Sequence, residues 1–209
     1  MGITIHYHGG LDDPAQLDAA LAMPRDESAR RNWPYRTHDF AARGTFKTYP
    51  ARSIPFELPG LEQSAVETNS VELDTRWRGL IVKPHPDSES LTLMFDLQTG
   101  RLMMLMDVPD GRSPSYHLGI KTQFAPIEIH MGVCEVLHCL QDEFGRTQLH
   151  VHDEGGYFDS GDVESLRRAR QEIDDAINNL DLITRLARYA AGGDEVALPD
   201  EEQLARRPN

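Results

Sequence analysis

Between Thr75 and Asp107 three strand-like segments follow one another with no room for a helix between them. This constrains the fold more than any other feature of the chain. Arg76–Lys83 (RWRGLIVK), Ser90–Asp96 (SLTLMFD) and Arg101–Asp107 (RLMMLMD) are apolar-rich runs of strand length. Leu97-Gln98-Thr99-Gly100 joins the last two as a tight hairpin, with glycine where a positive φ is needed. Parallel neighbours require a crossover of roughly a dozen residues or more, so these strands pair antiparallel.

The flanking segments add helices at both ends. Ile3, Ile5 and Tyr7 alternate with Thr4, His6 and His8, a period-two strand ended by Gly9-Gly10. Asp13-Pro14 starts a helix carrying Leu17, Ala20 and Leu21, which Pro24 is expected to interrupt before a second short turn over Asp26–Asn32. Tyr35–Phe40 and Thr45–Tyr49 are two possible short strands. Pro50 to Ser70, with Pro50, Pro55, Pro59 and Gly60 and no sustained period, is expected to be a surface excursion.

Tyr116–Ile120 gives a further strand, Ala125-Pro126 opens a helix ending near Phe144 and Gly145, and Gln148–His152 is a strand. Asp162 caps a long helix in which Leu166, Ala169, Ile173, Ile177, Leu180, Ile183 and Ala187 recur at helical spacing. The predicted class is α+β, a mainly antiparallel sheet with two or three helices packed on one face. Residues 1–191 are expected to form one domain and 192–209 a flexible acidic tail. The expected core includes Leu80, Val82, Leu93, Phe95, Leu137, Leu140, Ile173, Ile177 and Leu180.

Charge and cysteine content narrow the function classes. The net charge of −13 argues against nucleic acid as a general partner, because phosphate neutralisation needs a basic face. No apolar run approaches the ~20 residues of a membrane span. Cys134 and Cys139, the only two cysteines, share one helical stretch and make no disulfide framework, which favours a cytoplasmic chain.

Nine histidines raise the question of a metal. His6/His8 and His150/His152 are each i, i+2 pairs on one strand face, and His130, Cys134 and His138 form a stripe on one helix. No closed ligand set is spelled out by spacing, so neither a metal nor another cofactor is expected. Two polar blocks remain. Lys121, Thr122 and Gln123 precede a helix N-terminus, where free N–H groups favour an anion, and Glu128 and His130 follow in its first turns. Asp153 and Glu154 end a strand before Gly155, Gly156 and Tyr157, and repulsion between adjacent carboxylates is expected to raise the pKa of one of them. Only Gly145, Arg146 and Thr147 join that strand to the preceding helix. The connection predicts a contact between Lys121 or His130 and Asp153 or Glu154.

The chain resembles a family of uncharacterised bacterial proteins. The resemblance rests on Ile3-Thr4-Ile5-His6-Tyr7, Arg78-Gly79-Leu80-Ile81, Lys121-Thr122-Gln123-Phe124 with Pro126, Glu128 and His130, and Asp153-Glu154-Gly155-Gly156-Tyr157 with Gly161-Asp162. It implies no activity. It implies that histidine at 8, 150 and 152 is peculiar to this chain, and that Lys121, Gln123, Glu128, His130, Asp153 and Glu154 form one shared site.

Two readings follow. One is a binding or accessory module whose acidic surface meets a protein partner or a second copy. The other is a small acid–base enzyme acting on an anionic substrate, with His130 as proton shuttle, Glu128 or Asp153 as its orienter and Lys121 as the anion's partner. Convergence of Lys121, Glu128, His130 and Asp153 in one concave pocket separates them.

Overall fold

The structure, a computed structural model, describes residues 3–48, 69–108, 111–144 and 148–190. It is an α+β fold with antiparallel strand pairing throughout the described sheets. The order is β1 (Thr4–Gly9), α1 (Leu17–Arg30) after a 3-10 turn at Pro14–Gln16, β2 (Tyr35–Thr48), β3 (Asn69–Val82), β4 (Leu91–Asp96), β5 (Met104–Val108), β6 (Gly111–Ser115), β7 (Leu118–Lys121), α2 (Ile127–Phe144), β8 (Leu149–Asp153), α3 (Tyr157–Ser160) and α4 (Val163–Ala190).

The strands divide among three sheets instead of one: β7-β1-β8, β2-β3-β4 and the ribbon β5-β6. The expected hairpin is present, with Gly100 at φ 69° and its N–H donated to Asp96 O at 2.8 Å. Beyond it, however, only the isolated bridge Phe95↔Leu102 continues the pairing with β4, and the chain then leaves to pair β5 with β6. Tyr7 joins the first two sheets. Its buried hydroxyl donates to Thr92 O and accepts the Thr92 N–H, both at 2.9 Å, so a β1 side chain completes the backbone bonding of β4.

Strand alternation splits the interior. Leu80 and Val82 of β3 with Leu91, Leu93 and Phe95 of β4 face the main core, where they meet Ile5 and Tyr7 of β1, Leu17 and Ala20 of α1, Val133 and Leu137 of α2, and Phe158 of α3. Trp77 and Met94 have the opposite parity and pack with Ala42 and Met103 in a smaller cluster on the other side of that sheet.

Two local expectations change. Pro24 does not interrupt α1; it lies inside the helix and is buried with Leu17, Ala20 and Ser28, whose hydroxyl donates to Pro24 O at 2.6 Å. The lost N–H is one hydrogen bond, and the helix keeps its apolar face in the core. Tyr35–Phe40 and Thr45–Tyr49 are not two strands. One strand runs from Tyr35 to Thr48, because β3 begins at Asn69 and supplies a partner at every position. The remainder of the expected excursion, the stop at Gly145 and the tail 192–209 lie outside the described residues.

The largest correction concerns α4. Asp162 caps it as expected, its carboxylate accepting the Glu164 and Ser165 N–H groups at 2.9 and 3.2 Å. Leu166 is buried and Arg170 donates to Ala125 O at 2.6 Å. Farther along, Ile173 is only half-buried, whereas Ile177, Leu180 and Ile183 are 37%, 60% and 61% exposed. The core positions expected there are therefore not core. Helical periodicity identifies an apolar stripe but not what covers it, and the core is filled by α1, α2 and α3.

Truncation separates the two helices. Leu137→Ala should cost about 2–5 kcal/mol in urea unfolding, through lost transfer energy and a cavity. Leu180→Ala should stay within about 0.5 kcal/mol.

Candidate functional site

The two polar blocks meet, through one pair of side chains. His130 projects from the first turns of α2 and Asp153 ends β8; His130 Nε2 lies 3.0 Å from Asp153 Oδ2. Both are buried, with side-chain exposures of 3% and 0%. A carboxylate only accepts, so Nε2 donates to it, and Nδ1 lies 2.7 Å from the Thr122 hydroxyl. Asp153 Oδ2 also accepts the Phe158 N–H at 3.0 Å, and Oδ1 accepts that of Gly155 at 2.8 Å. The expected contact is present, and it joins the segment after β7, α2, β8 and α3.

The Gly-Gly pair serves this arrangement. A Cβ on Gly155 would lie 2.6 Å from Leu166 Cδ1 and 3.2 Å from Asp153 Oδ1, and Gly156 turns the chain at φ 70° into α3. Tyr157 opens α3 with its ring 6.4 Å from that of His130. Gln123 is turned inward and buried.

The other candidates are elsewhere. Lys121 and Glu128 are exposed, and among the described residues neither is bonded to the His130–Asp153 pair. Lys121 instead uses its backbone N–H, donated to Glu89 Oε2 at 3.0 Å. Glu154 has the opposite parity to Asp153 and faces outward, where it accepts the Thr4 N–H at 2.9 Å and lies 3.3 Å from His6 Nε2.

The expected raised carboxyl pKa is not found. Burial pushes the Asp153 carboxyl up, but the hydrogen bond and charge of His130 with the Phe158 and Gly155 N–H groups outweigh it and hold it below the ordinary range. Burial likewise pushes Glu154 up, and the Thr4 N–H and His6 bring it down further than that. Opposite orientation removes the repulsion that adjacency suggested.

The stripe on α2 also resolves into structural roles. The ligating atoms of His130, Cys134 and Asp153 all lie within 4.8 Å of one another, the spacing of a metal set. His130 and Asp153 are hydrogen-bonded to protein, and burial, followed by the charge of Asp153, pushes the Cys134 thiol up. His138 stacks on Phe158 at 3.8 Å and bonds its carbonyl at 2.7 Å, pinning α3 to α2.

Sheet register gathers five of the other seven histidines. β1 and β8 pair His6 with His152 and His8 with His150, and all four point away from the core. His117, just before β7, has its ring 4.7 Å from that of His8, and the His150 ring is 5.0 Å away on the other side. Spacing gave two separate pairs; only register shows that they are neighbours. A cleft lies between α1 and β2-β3, lined by Asp18, Arg25, Asp39 and Arg78; Arg78 bonds both carboxylates, and Arg25 pairs with Asp26.

Compared with known families, curated proteins and solved structures, the chain matches none.

His130→Ala should destabilise the fold by about 3–5 kcal/mol, because it leaves a buried carboxylate without its main partner. Because the folded-state pKa of Asp153 is depressed, its contribution is complete above the unfolded carboxyl pKa of ~3.9 and is lost as pH falls through the lower folded value. Thermal melts from pH 7 to pH 2 should show this acid loss in the wild type and a weaker one in Asp153→Asn.

Proposed function

We propose that this chain is a non-catalytic, cytoplasmic binding module that engages protein through the apolar face of α4, the first partner being a second copy of the chain. The observation that carries the reading is the exposure of Ile177, Leu180 and Ile183 on a helix of 28 residues. Such a helix is about 42 Å long. An amphipathic helix gains little from its apolar stripe until something covers it. Pairing the same stripe on two chains is an isologous contact, which closes on itself at two copies. The charge of −13 opposes association at low salt, and screening over ~8–10 Å at physiological ionic strength weakens that opposition.

The acid–base reading requires a solvent-accessible His130 with Lys121 and Glu128 beside it. The ring is buried and the other two groups are on the surface, so its motivating geometry is missing. The polar blocks support the module reading as structural ties. No helix among the described residues is long and apolar enough to cross a membrane, and the net charge of −13 argues against nucleic acid as a general partner.

Sedimentation equilibrium tests the reading. The wild-type chain should show a monomer–dimer equilibrium that strengthens with salt, and Leu180→Glu should shift it to monomer while matching the wild-type melting temperature in dilute solution, where both are monomers. A wild-type chain that stays monomeric at the highest attainable concentration would overturn self-association.

A further inference from the structure

We propose that the uncovered face of the β7-β1-β8 sheet is a binding site for a divalent first-row transition cation, zinc in the first place, held by the imidazoles of His8, His117 and His150. The inference is independent of α4 and of the module reading.

The site follows from strand parity and register. On β1, Ile5 and Tyr7 point into the core, so His6 and His8 point out. On β8, Leu149 and Asp153 are buried, and His150 and His152 are exposed. On the β7 side, Leu118 and Ile120 are buried, and His117, one residue before the strand, is exposed. Register then places His150 opposite His8, and His117 stands on the other flank of His8. Three imidazoles therefore form a row across three adjacent strands, with His8 in the middle.

The spacing suits a shared cation. Two imidazoles bound to one tetrahedral ion at Zn–N distances of about 2.0–2.1 Å have ring centroids about 5 Å apart. The observed separations are 4.7 Å for His8–His117 and 5.0 Å for His8–His150. His117 and His150 lie on opposite sides of His8, with interplanar angles to it of 51° and 22°, so a shared ion requires these exposed rings to rotate towards a point above His8. Strand pairing fixes the backbones that carry them. Three imidazoles leave the fourth tetrahedral position to water, the arrangement of an open zinc site.

Local charge and competition also bear on the site. Arg101 opposes a cation by its charge, while its guanidinium is occupied over the Tyr116 ring at 4.4 Å. His6, His152 and Glu154 lie one and two registers farther along the same face and offer adjoining nitrogen and oxygen donors; Lys121 lies at its far edge. Imidazole donors favour zinc, nickel and copper over magnesium and calcium.

Titration of the full-length chain with Co2+, followed by displacement with Zn2+, tests the site. The visible Co2+ absorption should reach an end point at one ion per chain and be lost on adding Zn2+. Removing an outer-shell partner of a metal costs roughly 10–100-fold in affinity, so His8→Ala, and separately His150→Ala, should cost at least that, with melting temperature unaltered. His38→Ala, away from this face, should leave affinity unchanged. Absence of Co2+ binding, or binding unaffected by His8→Ala and His150→Ala, would overturn the proposal. A thiolate-to-cobalt charge-transfer band would also overturn it, by placing the ion at Cys134.

Discussion

One buried carboxylate, Asp153, fixes how the elements of this fold meet. Removing a carboxylate from water costs several kcal/mol unless its oxygens are well bonded. Asp153 satisfies that demand with one imidazole and two backbone N–H groups, from His130, Phe158 and Gly155. Each donor belongs to a different piece of chain, so satisfying the charge brings the end of β8 to the start of α2 and the start of α3. Thr122 extends the tie towards β7 through the far nitrogen of the ring. The outer face of β7-β1-β8 and the departure point of α4 both rest on this arrangement.

The pattern of residues reveals some of this and hides the rest. The hairpin at Gly100, the cap at Asp162 and the meeting of His130 with Asp153 are local or nearly local events, and each follows from turn chemistry or from a three-residue connection. Which side a residue faces is less accessible. Asp153 and Glu154 are adjacent in sequence and face opposite ways, so a block read as one acidic unit is half core tie and half surface. The helix periodicity of Ile173, Ile177 and Leu180 correctly marks a single face, but nothing in the spacing says that α1, α2 and α3 already occupy the core. The split of the strands among three sheets is likewise a consequence of where β5 leaves β4, which no single segment records.

Histidine shows the same division most clearly. His130 and His138 sit on α2 with rings bonded or stacked inside the protein, where each acts as a rigid connector. His6, His8, His117, His150 and His152 are exposed and depend on the sheet only for their alignment. Their i, i+2 spacing establishes a common face within one strand, and pairing between strands decides whether two such faces become one surface. That pairing joins residues nearly 150 positions apart and is set by the buried side of the same strands.

The long pairing of β2 with β3 has a dynamic consequence. Register runs from Tyr35↔Val82 to Thr48↔Asn69, whereas β4 supports β3 only from Trp77 to Val82. The outer half of the hairpin is thus a ribbon without β4 alongside, whereas at its base β3 is held between β2 and β4. Opening should begin at Thr48↔Asn69 and stop near Trp77, which divides one hairpin into two cooperative units.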